Sequence, residues 1–110
     1  MHEYSLVQAL VERVAHEARG RGGAVRCVRV KLGELAGVDE QLLATAYETF
    51  KPGTVCADAA LELKQVPARW SCRVCGGFIE RGARLQCCGE PARLVQGDDL
   101  VLDQIDLEVP

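Results

Sequence analysis

The chain has 110 residues, 48% of them apolar, with 13 basic and 16 acidic side chains and a net charge of −3. That length fits one small domain, or one domain with a minor appendage, and the apolar share is too high for a disordered chain. The acidic balance gives no electrostatic reason for nucleic-acid or anionic-membrane binding, and no stretch approaches the roughly 20 apolar residues of a membrane span. The start, MHEYSLVQALVERVAHEARG, has acidic residues and no cationic lead into an apolar run, so it does not read as a signal peptide. A cytoplasmic protein is expected, where clustered cysteines more often bind metal than form disulfides.

Over residues 4–19, Leu6, Val7, Leu10, Val11, Val14 and Ala18 recur at offsets of three and four, which predicts one apolar stripe on a helix. Gly20, Gly22 and Gly23 stop it. Val28, Val30 and Leu32 then alternate with Arg29 and Lys31, a strand with one wet face. After the turn between Gly33 and Gly37, Asp39 sits where an N-cap belongs. The segment that follows places Leu42, Leu43, Ala46, Tyr47 and Phe50 on one helical face, and Pro52-Gly53 ends it. Leu61 and Leu63 mark a second strand, closed by Pro67. Beyond Gly97, Ile105, Leu107 and Val109 alternate with Asp106 and Glu108 as a third.

A strand–helix–strand unit usually forms a parallel pair by right-handed crossover, and the last strand can join antiparallel. The expected fold class is therefore α+β: a small mixed three-stranded sheet with two helices, plus an inserted zinc-ribbon-like module. The body covers residues 1–66, completed by 95–110, and the module covers 67–94.

The module carries Cys72-x2-Cys75-x11-Cys87-Cys88. In C-x-x-C the chain turns tightly, so both sulfurs can point at one ion, and four thiolates at about 2.3 Å make a closed tetrahedral zinc site. A module this small buries little apolar surface, so Zn(II) would supply its folding free energy. The touching pair is less regular. Neighbouring side chains on an extended strand point to opposite faces, so joint ligation requires a sharp bend, which Gly89 would ease. Three alternatives stay open: one of the pair ligates and the other is spare, a residue such as Cys56 or His16 completes the set, or a second chain does. Disulfides or buried thiols without metal are the bland reading. Cys27 and Cys56 have no partner spacing, and Cys27 reads as a small apolar strand residue.

Met1-His2-Glu3 stands directly before the first helix. An α-amine, an imidazole and backbone nitrogens can surround one cation in a plane, which suits Ni(II) or Cu(II). Alone this signal is weak, because a terminal histidine is ordinarily just solvated. Combined with the cysteine module it is specific. MHEYSL, VKLGELAGVD, AYETF, the cysteine pairs and the closing GDDLVLDQIDLEV resemble the HypA/HybF hydrogenase nickel-incorporation proteins over essentially the whole length. The resemblance implies a nickel metallochaperone that binds Ni(II) through Met1, His2 and Glu3, with Asp39 as a nickel neighbour in some members. It implies zinc on Cys72, Cys75, Cys87 and Cys88, a HypB-type GTPase partner, and delivery to the large subunit of a [NiFe]-hydrogenase. The family's usual second knuckle is C-x-x-C, so the adjacent pair is a departure. For Asp39 the N-cap role is the plainer reading. Monomer and homodimer both stay open.

The competing class is a zinc-ribbon interaction module that never carries nickel. An enzyme has little support: there is no G-x-S-x-G nucleophile motif and no P-loop, and four-thiolate zinc keeps no position for water.

Overall fold

The computed structural model describes residues 2–79 and 86–108, with the side chains of His2, Gln86 and Cys87 outside that description. Its elements are α1 (His2–Ala18), β1 (Ala24–Gly33), α2 (Glu40–Phe50), β2 (Ala60–Val66), β3 (Arg69–Ser71), β4 (Phe78–Ile79), β5 (Gln86–Cys87), β6 (Glu90–Pro91), β7 (Arg93–Gln96) and β8 (Leu100–Glu108). The expected α+β class holds, with two helices and small sheets. Strands β2, β1 and β8 form one three-stranded sheet in that order, β4, β3 and β7 a second, and β5 with β6 a hairpin. Contacts divide the chain into two units: Met1–Lys31, Val38–Lys64 and Val101–Pro110 in the body, and Leu32–Gly37 with Gln65–Leu100 in the module.

In the body, the α1 stripe buries Val7, Leu10, Val11 and Val14. From α2 come Leu43, Ala46 and Tyr47. Leu42, expected on the same face, is 52% exposed. It lies at the margin of the face, about 40° outside the arc that Ala46, Phe50, Leu43 and Tyr47 share. Strand β1 buries Val28 and Val30 as the alternation predicts, and also Val25 and Cys27, which fall on the other phase. It is the central strand, so it is the most enclosed of the three. Cys56 and Ala59, in the turn after α2, complete the core. The Tyr47 hydroxyl donates to the Ala59 carbonyl at 2.8 Å, so a phenol can be fully buried without an unpaired donor. Burial also pushes the Tyr47 phenol and the Cys56 thiol above their ordinary pKa values.

The wet face of the sheet is an ion-pair ladder. Arg29 bridges Glu62 on β2 at 2.6 Å and Asp106 on β8 at 2.7 Å. The Cys27 thiol donates to the second Glu62 oxygen at 3.1 Å. Lys31 meets Asp103, and Arg26 meets Glu108. Strand β8 begins earlier than the alternation suggested and ends at Glu108; Val109 lies outside the described residues.

The largest addition to the sequence reading is inside the module, where β3 to β7 form from segments of two to four residues. No periodicity is visible at that length. Around Gly33 and Gly97 three backbones meet. Gly33 N–H donates to the Asp99 carbonyl at 2.8 Å, Leu35 N–H to the Gly97 carbonyl at 2.6 Å, and Glu34 N–H to the Val66 carbonyl at 2.9 Å. The Glu34 carboxylate accepts from Ala68 N–H at 2.7 Å. A Cβ on Gly97 would stand 2.6 Å from Ala68 Cα, and Gly97 also holds φ +98°, so no larger residue fits without displacement.

Candidate metal centre

Cys72 follows β3 directly and is 3% exposed. Its N–H donates to the Gly77 carbonyl at 2.8 Å, and its carbonyl accepts from Gly76 N–H at 3.0 Å, which folds Cys72–Gly77 into a closed loop. Inside that loop the Val74 and Cys75 N–H groups point at Cys72 Sγ, at 3.4 and 3.5 Å. Donors aimed at sulfur favour the thiolate, the form that binds metal.

The second pair arrives differently. Strands β5 and β6 pair antiparallel with Gln86 opposite Pro91 and Cys87 opposite Glu90. Only Cys88 and Gly89 lie between, with φ +55° and +76°. Two positive φ values at the centre of a two-residue loop are the signature of a type I′ hairpin. The expected sharp bend is therefore present, and it takes in Cys88 as well as Gly89. A non-glycine residue in the left-handed region costs about 1–2 kcal/mol and persists where its surroundings over-determine it.

At this tip Cys88 completes a cluster: the sulfurs of Cys72, Cys75 and Cys88 all lie within 4.8 Å of one another. Four thiolates around tetrahedral zinc stand about 3.8 Å apart at a 2.3 Å bond length. The three sulfurs thus need little movement to share one ion, and a set of thiols at this spacing suits zinc or another thiophilic metal. Cys75 and Cys88 are exposed, so metal has access from one side. The Cys87 sulfur lies outside the described residues. Cys56 does not join the cluster: it sits in the body core, its thiol beside Tyr47. Cys27 pairs with Glu62, and burial and that partner hold its thiol above the ordinary range. His16 is exposed on α1.

The chain matches, over residues 1–107, the family described as hydrogenase/urease nickel incorporation, metallochaperone, hypA. It belongs to the HypA family. Relatives called hydrogenase maturation factor HypA include one from Wolinella succinogenes, 38% identical over 98% of this chain and 96% of that one. Another, from Shewanella halifaxensis, is 37% identical over 98% of both. The fold resembles the solution structure of the Ni metallochaperone HypA from Helicobacter pylori, with a TM-score of 0.76 and 25% identity over 98% of both chains. A second HypA solution structure gives 0.77 and 27% over 100% of this chain and 98% of that one. The family role, a nickel metallochaperone in hydrogenase maturation, comes with membership.

The HypA relationship directs attention to the N-terminus. Here α1 begins at His2, so His2 and Glu3 lie inside its first turn rather than before it. Met1 and the His2 side chain are outside the described residues. Tyr4, one residue on, meets Phe50 edge to face at 5.3 Å, at the last residue of α2. Asp39 caps the other end of α2, about 16 Å away along an eleven-residue helix, and accepts from Leu42 N–H at 3.0 Å. Among the described residues no hydrogen bond or ion pair joins Glu3 to Asp39, which leaves the capping role as the one Asp39 is seen to perform. Among the described residues no helix is long and apolar enough to cross a membrane.

Proposed function

We propose that this HypA-family chain picks up Ni(II) at its N-terminus and passes it on during [NiFe]-hydrogenase maturation in the cytoplasm. Met1, His2 and Glu3 hold the cargo, and Cys72, Cys75, Cys87 and Cys88 hold a structural zinc. The observation that carries this reading is the family match, which begins at residue 1 and so includes the MHE motif. Local chemistry supports it. The first four N–H groups of a helix have no intrahelical acceptor, so the amides of His2 and Glu3 can give up protons to a metal without breaking the α1 ladder. A helix N-terminus repels a bare cation, but deprotonated amides and the Glu3 carboxylate bring negative charge that offsets this.

The cysteine cluster supports a scaffold role, because a closed thiolate site holds its ion and leaves no place for cargo. A HypB-type GTPase supplies nucleotide hydrolysis, and the large subunit receives the metal. Asp39 is a second-rank nickel neighbour, reached only if the α2 cap rearranges.

The test is a Ni(II) titration of the zinc-loaded, untagged protein beside its His2→Ala variant, with zinc counted before and after. Nickel bound by the parent, lost in the variant, with zinc retained in both, is the expected result. Equal nickel binding by both, or binding only as zinc leaves, would overturn the assignment. Zinc alone, with no nickel in either, returns the chain to an interaction module.

A further inference from the structure

The first turn of α1 and its middle are held by different means. In the middle, Val7, Leu10, Val11 and Val14 are buried in the body core. Among the described residues Val7 is the first buried side chain of the helix, so the turn before it gains nothing from full burial. Terminal helical turns fray unless something ties them down. Here the tie is an aromatic pair. The Tyr4 and Phe50 rings meet edge to face, with centroids 5.3 Å apart and planes at 81°. Tyr4 lies in the opening turn of α1, and Phe50 is the last residue of α2.

Phe50 stands on a firm base. One turn back, Tyr47 is fully buried, and its hydroxyl donates to the Ala59 carbonyl at 2.8 Å. The next residue, Lys51, closes α2. Its N–H donates to the Tyr47 carbonyl at 2.9 Å, and its ammonium reaches Glu48 at 2.9 Å and the Ala59 carbonyl at 3.4 Å. Tyr4 therefore leans on a ring whose helix end is tied to the turn that follows it. Tyr4 itself is 39% exposed, so this ring contact, rather than deep burial, sets its place. An edge-to-face pair fixes direction as well as distance, because the positive edge of one ring meets the negative face of the other.

We propose that the Tyr4–Phe50 pair is a positioning contact for nickel, holding α1 in place from residue 4 onward while residues 1–3 close round the ion; this rests on nickel binding at Met1, His2 and Glu3. The coordination chemistry requires such a boundary. Two successive backbone nitrogens bind one ion through a five-membered Ni–N–Cα–C–N ring. That ring closes with the N–Cα–C–N torsion near eclipsed, whereas an α-helix holds it at about −42°. The chelating residues must therefore leave helical geometry. A first turn that frays in the free protein has to be ordered as the ion binds, and that ordering weakens affinity. A tie at residue 4 confines the change to the residues that the ion itself organises.

The test titrates Ni(II) into the untagged, zinc-loaded full chain and into Tyr4→Leu, Phe50→Leu, their double variant, Tyr4→Phe and His2→Ala. Leucine keeps an apolar side chain and removes the ring pair. Each single leucine variant is expected to weaken nickel binding about two- to tenfold, the range an edge-to-face pair supplies. The double variant should lose no more than either single one, because the rings act as a unit. Tyr4→Phe, which keeps the ring, should bind as the parent does. The visible absorption band of bound nickel should keep its parental position in the Tyr4 and Phe50 variants, as an unchanged ligand set requires. In the metal-free proteins, amide exchange at Leu6 and Val7, whose N–H groups close the first turn, should quicken in the leucine variants while Leu43 and Tyr47 keep parental protection. If Phe50→Leu loses that protection, Tyr4→Leu and Tyr4→Phe carry the test. Additive losses in the double variant, parental affinity in Tyr4→Leu, or weakened binding in Tyr4→Phe would overturn the positioning role, and nickel lost in His2→Ala would leave the N-terminal site standing. Parental nickel binding in His2→Ala would overturn that site and the proposal with it.

Discussion

The body and the module of this chain are stabilised by different physics. Thirteen aliphatic, aromatic and thiol side chains of the body are buried, whereas Leu32 and Cys72 are the only buried apolar residues described in the module. A body of that kind folds by removing apolar surface from water. A module with so little to bury depends on backbone closure at Gly33 and Gly97 and on whatever its cysteines bind. The cluster of thiols that could hold a metal thus sits in the unit where the hydrophobic effect is weakest.

The sharpest way to break this contrast is to remove the metal. Chelation, or Cys72→Ser, should abolish amide protection in β3, β4 and β7 while the far-UV helical signal of the body persists, because structural zinc supplies on the order of 10 kcal/mol of folding free energy. Collapse of the helices as well would show that the units do not fold separately. Leu43→Ala is the converse: it should cost the body about 3 kcal/mol in denaturant melts and leave zinc content unchanged. Gly97→Ala puts a Cβ against Ala68 at φ +98° and should destabilise the module by about 2 kcal/mol, seen as faster exchange at Leu35 and Ala68. Asp39→Ala removes the α2 cap and should cost the body about 1 kcal/mol. Unchanged nickel affinity in that variant leaves Asp39 a cap, and a large loss makes it a ligand.

The smallest effect concerns pH. Hydrogen bonds from Arg29, then Gln104, hold the Asp106 carboxyl below its ordinary value of 3.8. Folding therefore favours the ionised form. That support is complete above the ordinary value and fades as pH falls below it, through the lowered folded one. Both partners are solvent-facing, so the effect is screened by salt. Urea melts of parent and Asp106→Asn at low ionic strength should differ at neutral pH and converge in acid.

Legibility in the sequence followed the length of the repeating signal. The α1 stripe from Leu6 to Ala18 spans more than three turns, and the structure buries its central members. The Val28, Val30, Leu32 alternation was equally readable, and so was the Asp39 cap, because one side chain and one N–H three residues on decide it. Leu42 was misplaced because a helical face is an arc, and a residue at its margin is exposed or buried according to what packs beside it. The module's five short strands were not legible, since two to four residues carry no period. Its cysteines were, since ligand chemistry needs residue type and spacing rather than periodicity.

The adjacent Cys87 and Cys88 divide what each level of description decides. By itself the sequence determined that a C-x-x-C pair and a second cysteine pair lie between two strands, that a bend was required at the second, and that Gly89 would permit it. It determined the family as well, through MHE and the module together. Only the tertiary structure decided that the bend is a two-residue hairpin with Cys88 itself left-handed, which brings its sulfur to Cys72 and Cys75. It alone also placed Phe78, Ser71 and Arg93 in one row. Motifs survive in a list of residues because covalent spacing is local, whereas faces and clusters depend on which distant strands pair, and that is settled when the chain folds.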